Sequence, residues 1–251
     1  MTGGRRPPPP GFPEILAAAD GVVSVLDVGC GSGRLAVELV RSGAAVTGID
    51  VSEARLAAAR ERARQAGVDI GFLHADMTEP LPFGDGAFAA AVSRLSLMIA
   101  SDPEAVLREL ARVVAPGGPV VTAVWARVEE NPWFGEPRAA VAAVLGADRA
   151  AFARVFGRLG DLAELVELYD RAGLEATAAV LRDELRPQSA AEHWRDLTAS
   201  IGHFARLAET LSPAEEKAVV AEIERRIGAS GGIRMARTLL LATAPAPPRQ
   251  A

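Results

Sequence analysis

An acidic residue followed by three alternating glycines, Asp27-x-Gly29-x-Gly31-x-Gly33, is the stretch of the chain best suited to ligand chemistry. It follows an apolar run over residues 22–28 and precedes apolar residues at helical spacing, which predicts a buried strand, a tight turn and a helix. Glycines lack Cβ atoms, so a ligand can lie against the backbone N–H groups of the turn. A carboxylate at the strand end repels a pyrophosphate and attracts an ammonium group. The pattern therefore predicts a site for an ammonium-bearing ligand, the alternative being a turn that serves only strand-to-helix packing.

Three stretches of the chain resemble one family. Residues 25–36 (VLDVGCGSGRLA) are similar to the first motif of class I S-adenosylmethionine (SAM)-dependent methyltransferases, and SAM carries an ammonium group. Residues 81–88 (LPFGDGAF) and 107–126 (LRELARVVAPGGPVVTAVWA) resemble the ubiquinone- and menaquinone-biosynthesis type of this family. Ala89 stands where that type commonly has Asp, so any role of that acid in the ligand pocket is absent or supplied otherwise. The resemblance covers residues 22–126 and implies SAM as cofactor, with S-adenosylhomocysteine (SAH) as its product.

The resemblance also implies cofactor-binding residues at the ends of the predicted strands. Asp50 ends the second strand, where its carboxylate would accept hydrogen bonds from the ribose hydroxyls; the alternative is a helix N-cap, a role that Ser52 already fills. Asp76 ends the third strand and would meet the adenine amino group, while Met77 would pack on the adenine ring or belong to the core. The predicted cofactor-binding set is Asp27, Gly29, Cys30, Gly31, Gly33, Asp50, Val51, Asp76, Met77, Ser93 and Arg94.

Strand patterns alternate with amphipathic helical patterns along most of the chain, which predicts an α/β fold. The resemblance implies a Rossmann-like, seven-stranded, mostly parallel sheet with helices on both faces and an antiparallel terminal hairpin. Residues 174–182 and 237–243 are the predicted strands of that hairpin. The segment between them is too long for a structureless loop, so we predict a helical lid inserted there.

These patterns divide the chain into four parts. Residues 1–13 hold five prolines and are predicted to be a disordered tail. Residues 14–186 and 233–245 form the predicted SAM-binding domain, residues 187–232 the helical lid, and residues 246–251 a second tail. One short helix is expected before the first strand. Closure of the site would then depend on the lid or on a second subunit, so a homodimer is an open alternative.

Composition narrows the class of partner. The net charge of −5 and the lack of a Lys/Arg stripe argue against a nucleic-acid substrate and favour a small molecule. The one cysteine, Cys30, excludes a disulfide framework, and the three histidines are too scattered for a metal site, so we expect a cytoplasmic protein without metal. No leader pattern and no apolar run long enough to span a membrane are found, so no membrane association is expected.

Aromatic and titratable residues in the second half of the chain are candidates for the acceptor site. Trp133 and Phe134 lie beside two prolines and are predicted to line a substrate pocket, with a small satellite core as the equal alternative. Trp194 and Phe204 on the predicted lid belong to the same set. His193, His203 and, less directly, Tyr169 are the candidate general bases, against the simpler alternative of surface or core placement.

Three functions remain compatible with the sequence. The first is methyl transfer from SAM to a small, largely apolar molecule, as in natural-product biosynthesis. The second is a SAM-bound cyclase of a natural-product pathway that no longer methylates, and the third is a binding module on the same scaffold. Fold alone does not separate them.

Overall fold

The computed structural model describes residues 10–151, 157–228 and 233–248, and its strands pair into one sheet. The strands are β1 (Ser24–Val28), β2 (Ala45–Asp50), β3 (Gly71–His74), β4 (Ala90–Arg94), β5 (Pro119–Trp125), β6 (Thr177–Leu185) and β7 (Met235–Pro245). The helices are α1 (Phe12–Ala18), α2 (Arg34–Arg41), α3 (Glu53–Ala66), α4 (Pro103–Val113), α5 (Pro132–Leu145), α6 (Leu162–Arg171), α7 (Ala190–Ser200), α8 (Gly202–Ala208) and α9 (Pro213–Ile227).

The strand order is β3-β2-β1-β4-β5-β7-β6, and the first five strands of this order are parallel. Asp27 on β1 pairs in register with Gly48 on β2 and with Val92 on β4. The order reverses beside β1, because the chain crosses from β3 to β4 there, and such a switch point opens a crevice at the carboxyl ends of the strands. The predicted mostly parallel sheet with an antiparallel terminal hairpin is confirmed.

The central strands are buried on both faces, as their continuous apolar sequences predict. Val25, Ala91 and Val121 have no exposed surface, and the apolar stripes of α2 and α4 are buried as well. Tyr169 on α6 is fully buried and its hydroxyl donates to Thr122 Oγ1 on β5 at 2.9 Å. Burial raises the pKa of Tyr169, so its hydroxyl stays protonated. Tyr169 is therefore a core residue and not the base that the sequence allowed.

The described residues divide into two compact units. The first holds the described parts of residues 1–124, 161–181 and 239–251, and the second those of residues 125–160 and 182–238. The second unit contains α5 and α7 to α9, with α5 packed against α9. Residues 125–160 therefore group with the segment that the sequence analysis assigned to a lid.

Some element boundaries differ from the sequence prediction. The predicted strand over 174–182 is observed as β6, three residues later, because Leu174 is buried and its N–H is bonded to the Tyr169 carbonyl at the end of α6. Helix α5 begins at Pro132, since proline is well tolerated in the first turn of a helix. Most of the predicted tail over 1–13 lies outside the described residues, but α1 begins at Phe12, which is buried.

The helices of the segment 187–232 follow their local signals. Helices α7 and α8 are separated at Ile201, whose backbone is extended. Helix α9 begins with a capping box, in which Ser212 Oγ accepts from the Glu215 backbone and the Glu215 carboxylate accepts from the Ser212 backbone.

Candidate functional site

The glycine turn between β1 and α2 has the backbone geometry that its sequence predicts. Gly29, Gly31 and Gly33 all have positive φ, of 69°, 55° and 72°. A Cβ on Gly33 would lie 3.0 Å from Ala59 of α3, so this glycine allows close helix packing. A Cβ on Gly31 would meet no atom within 4 Å. The face of the turn at Gly31 is therefore open, and a ligand can approach the backbone there.

Ser96 holds the turn from behind. A Cβ on Gly29 would lie 2.4 Å from the Cβ of Ser96, so only glycine fits at position 29. Ser96 Oγ donates to the Val28 carbonyl at 2.7 Å and lies 2.5 Å from Ser93 Oγ. Leu95, which precedes Ser96, has a φ of 61°, a left-handed conformation that costs a non-glycine residue about 1–2 kcal/mol. The left-handed backbone at Leu95 thus lies in the loop that places Ser96 against Gly29.

Asp27 lies at the carboxyl end of β1 and is only 2% exposed. Its Oδ2 atom is buried and has no hydrogen-bond partner among the described residues. Burial raises the pKa of Asp27 to about 7, and the negative charge of Asp50 raises it further. The positive charge of Arg94 and a hydrogen bond from the Ala36 N–H act in the opposite direction and lower the pKa. A ligand ammonium group would supply both the missing donor and the compensating charge.

Asp50, at the end of β2, is also buried and is tied to the turn. Its Oδ2 accepts from the Gly31 N–H and its Oδ1 from the Ser52 N–H, both at 2.9 Å. Ser52, not Asp50, caps α3, because Ser52 Oγ accepts from the Arg55 N–H. Each carboxylate oxygen of Asp50 retains acceptor capacity for a hydroxyl group.

Three predicted cofactor-binding residues, Val51, Asp76 and Met77, are fully or partly exposed. Val51 is 61% exposed, an unusual position for a valine that follows a buried strand. Asp76 is exposed two residues beyond β3, and its Oδ1 accepts from both the backbone N–H and the hydroxyl of Thr78. These bonds lower the pKa of Asp76, so its carboxylate is ionised. Met77 is half-buried rather than core. His74 is exposed on the edge strand β3, and its Nε2 lies 2.9 Å from the Val51 carbonyl.

Ser93, Arg94 and Cys30 complete the predicted cofactor set. Ser93 is fully buried with its hydroxyl against Ser96. Arg94 Nε donates to the Pro10 carbonyl at 3.0 Å, and its guanidinium lies 4.9 Å from the centre of the Phe12 ring. Burial raises the pKa of the Cys30 thiol, which excludes a thiolate nucleophile.

His193, in the second unit, has a structural partner. Pro137 inside α5 has no N–H, so the carbonyl of Trp133, four residues earlier, lacks its helical donor. His193 Nε2 donates to that carbonyl. Burial lowers the pKa of His193, which leaves a neutral ring with its proton on Nε2. His203 is half-buried on α8, and its Nδ1 lies 2.8 Å from Arg206 Nη2.

The predicted substrate-pocket residues are all buried within the second unit. Trp133 and Phe134 pack edge-to-face with ring centres 5.1 Å apart, and Trp194 and Phe204 do the same at 5.9 Å. Asn131 organises the first pair: its Oδ1 accepts from Trp133 Nε1 and from the Thr238 backbone. Such burial is what the satellite-core alternative expects, and a pocket role for these rings stays a prediction.

The same unit carries an open groove of about 620 Å³. It contains none of the predicted site residues and is lined by Val128, Glu129, Gly135, Glu136, Arg138, Ala139, Ala142, Ala143 and Arg226. Within the described ranges, no group of three or more His, Cys, Asp or Glu side chains is arranged to hold a metal ion. No helix in that part of the chain is long and apolar enough to cross a membrane.

Residues 25–118 match the family model of the methyltransferase domain. The ubiquinone biosynthesis O-methyltransferase of Sodalis glossinidius is 35% identical over 125 residues, which cover 50% of this chain and 47% of that protein. The chain thus spans about half the length of this relative.

Solved structures extend the likeness to nearly the whole chain. A Bacillus halodurans C-125 protein provisionally assigned as a methyltransferase superposes with a TM-score of 0.64 at 17% identity, covering 94% of this chain and 97% of that one. The [4+2]-cyclase SpnF superposes with a TM-score of 0.54 at 24% identity, covering 93% and 80%. At these identities the likeness shows the fold alone.

Residues 25–118 therefore form a methyltransferase domain, and this part of the chain is similar to ubiquinone biosynthesis O-methyltransferases. The site agrees with the SAM cofactor that the sequence predicts, because the unpartnered carboxylate oxygen of Asp27 on β1 and the open backbone at Gly31 both lie at the carboxyl end of β1. Sequence analysis missed Ser96, which holds the turn. Nothing in its local sequence distinguishes Ser96 from other serines.

Alanine substitutions at two glycines should differ in their effect on stability. Gly29→Ala places a Cβ against Ser96 in a left-handed conformation and should lower the free energy of unfolding by about 2–5 kcal/mol. Gly31→Ala meets no neighbour and should lose only about 1–2 kcal/mol from the backbone conformation. Urea unfolding of both variants measures the difference. Equal losses would mean that Ser96 does not constrain position 29.

Asp27→Asn should change how stability depends on pH. The pKa of Asp27 is about 7 in the folded protein, above its ordinary 3.8, so the folded state keeps a proton that the unfolded chain releases. This group therefore makes the wild type less stable as pH rises from about 4 to 7, and the loss is complete above that range. Asparagine does not titrate, so the variant should gain stability relative to the wild type over this interval in urea unfolding. Parallel pH profiles would contradict the buried, protonated carboxyl.

Proposed function

We propose that this protein transfers a methyl group from SAM to a small, largely apolar molecule. The observation that carries the proposal is the pair of buried carboxylates at the carboxyl ends of two adjacent strands: Asp27 on β1 and Asp50 on β2, whose Oδ2 accepts from the Gly31 N–H. Two carboxylates suit the two groups of donors that SAM carries, the ammonium group of its amino-acid portion and the hydroxyls of its ribose.

Each part of the site has a role in this proposal. Asp27 would accept a hydrogen bond from the ammonium group, for which its unpartnered Oδ2 is available. Asp50 would accept from the ribose hydroxyls while it keeps the Gly31 N–H in place. Asp76, Met77 and Val51, at the ends of β3 and β2, would contact the adenine, and the exposed apolar surface of Val51 suits a ring face. Arg94, through Pro10 and Phe12, would hold α1 beside the site.

Bound SAM supplies an activated methyl group on a sulfonium, so the protein's main task is to align the acceptor with it and to exclude water. The described titratable residues are consistent with this division of work. Tyr169 and Cys30 are held protonated by burial, and the proton of His193 is committed to the Trp133 carbonyl. Deprotonation of the acceptor would then be a secondary contribution, with His193 or His203 as the candidate base.

The acceptor class rests on the composition of the second unit. Its described part concentrates aromatic side chains, among them Trp125, Trp133, Phe134, Trp194 and Phe204. Two relatives are named ubiquinone biosynthesis O-methyltransferases, which agrees with a largely apolar acceptor, and we extend the proposal to specialised metabolism. The fold shared with a [4+2]-cyclase keeps non-methylating use of SAM as the second candidate. Incubation of the protein with methyl-labelled SAM and candidate acceptors separates the two, since product formation without transfer of label would support the cyclase.

Asp50→Ala should weaken the binding of SAH by roughly 30- to 150-fold, because the ribose hydroxyls lose a bidentate acceptor worth about 2–3 kcal/mol. Isothermal titration calorimetry measures the affinity, and circular dichroism checks that the variant is folded. Asp69→Ala, which removes an exposed carboxylate just before β3, is the matched control and should bind like the wild type. Unchanged affinity in Asp50→Ala would refute the ribose assignment.

Alanine at either histidine should leave methyl transfer within about a hundredfold of the wild type, since a general base typically contributes 10²–10⁴-fold. His193→Ala should also lower the free energy of unfolding by about 1–3 kcal/mol, because it strands the buried Trp133 carbonyl. His203→Ala should not do so. Transfer of labelled methyl and urea unfolding are measured on both variants. A larger loss of turnover in either variant, with SAH affinity unchanged and the variant still folded, would establish a dedicated base.

A further inference from the structure

The backbone at the carboxyl end of β2 is held by hydrogen bonds to both of its neighbours along the chain and to the adjacent strand. The Asp50 carbonyl accepts from the Ala75 N–H at 3.3 Å, and the Ser52 N–H donates to Asp50 Oδ1 at 2.9 Å. The carbonyl of Val51, between them in sequence, lies 2.9 Å from His74 Nε2. A carbonyl oxygen can only accept, so Nε2 carries a proton and donates it. The Val51 backbone is therefore held by a side chain of β3.

His74 also acts on the second residue proposed to contact the adenine. It is the last residue of β3 and pairs in register with Asp50. Asp76 follows two residues later. Hydrogen bonds from Thr78 lower the pKa of Asp76, partial burial opposes them, and the charge of His74 lowers the pKa further. His74 therefore bonds Val51 directly and lies within electrostatic reach of the Asp76 carboxylate.

Val51 depends on its backbone for a fixed position. It falls between the last residue of β2 and Ser52, the N-cap of α3, and its side chain is 61% exposed. An exposed side chain has few packing contacts, and segments with few buried contacts open most readily. The other two bonds at this strand end join Asp50, whereas the bond from His74 holds Val51 itself. Loss of the imidazole donor would therefore free Val51 while the backbone pairing of β2 with β3 remains.

We propose that His74 is a positioning residue for the adenosine half of the cofactor, and that its Nε2–H fixes Val51 as the surface on which the adenine ring lies, beside Asp76. This inference rests on the proposed function and extends it, because it assigns a role to a side chain outside the set predicted to touch the cofactor. A contact surface that is fixed before binding costs less free energy to order when the ligand arrives. The role needs only the proton on Nε2, which both the neutral tautomer and the charged ring carry.

The test compares SAH with 5′-methylthioadenosine, which keeps the adenosine half but lacks the amino-acid portion. In the intact chain, His74→Ala should weaken the binding of both ligands by the same factor, roughly 3- to 10-fold, the effect of losing one hydrogen bond of ordinary strength. His74→Gln places an amide nitrogen close to the position of Nε2 and should bind both ligands within about twofold of the wild type. His74→Asn places its amide nitrogen closer to Nδ1 and should behave like His74→Ala. Asp69→Ala, which removes an exposed side chain just before β3, is the control and should bind both ligands like the wild type.

Thermal unfolding separates this role from a structural one. His74 is exposed on an edge strand, so the Tm of the free His74→Ala protein should stay close to that of the wild type, while the Tm increase on addition of SAH should shrink. Four results would each overturn the inference: unchanged SAH affinity in His74→Ala, an equal loss in His74→Gln, a loss confined to SAH, or a lowered Tm of the free His74→Ala protein. Absence of SAH binding by the wild type would instead overturn the proposed function itself.

Discussion

Burial of the Asp27 carboxylate at the end of the central strand is the constraint on which the site depends. A carboxyl group at that depth is stable only if its charge is removed or compensated. The chain meets this requirement in part, with the Ala36 N–H and the charge of Arg94, and leaves one oxygen without a donor. The fold therefore creates an unfavourable electrostatic environment for this carboxyl group at the point where we propose that the ammonium group of the cofactor binds.

The glycine turn is held by residues that would not themselves touch a ligand. Ser96 fills the space behind Gly29 and bonds the Val28 carbonyl, while Asp50 bonds the Gly31 N–H from the side. A left-handed Leu95 is the cost of placing Ser96 there. The loop after β4 thus fixes the turn after β1, so changes in one are expected to disturb the other even though the two are far apart in sequence.

Pro137 accounts for the buried position of His193. Pro137 removes a donor from α5, and His193 on α7 replaces it at the Trp133 carbonyl. The contact fixes the ring's tautomer and links two helices of the second unit. A histidine in such a sequence is therefore ambiguous. The same side chain can donate a structural hydrogen bond or act as a catalytic base.

Local sequence determined much of this protein, and packing decided the rest. The α/β class, the glycine turn, the strand-end acids Asp27 and Asp50, and the caps at Ser52, Asp102 and Ser212 follow from residues within one turn or strand of each other. Hydrophobic periodicity and capping act over such short distances, which makes them legible in the sequence. The support of Gly29 by Ser96, the bond from His193 to Trp133, the exposure of His74 and the unpaired oxygen of Glu14 join or isolate residues that are distant along the chain. They depend on how whole elements pack and twist together, and only the tertiary structure fixes that.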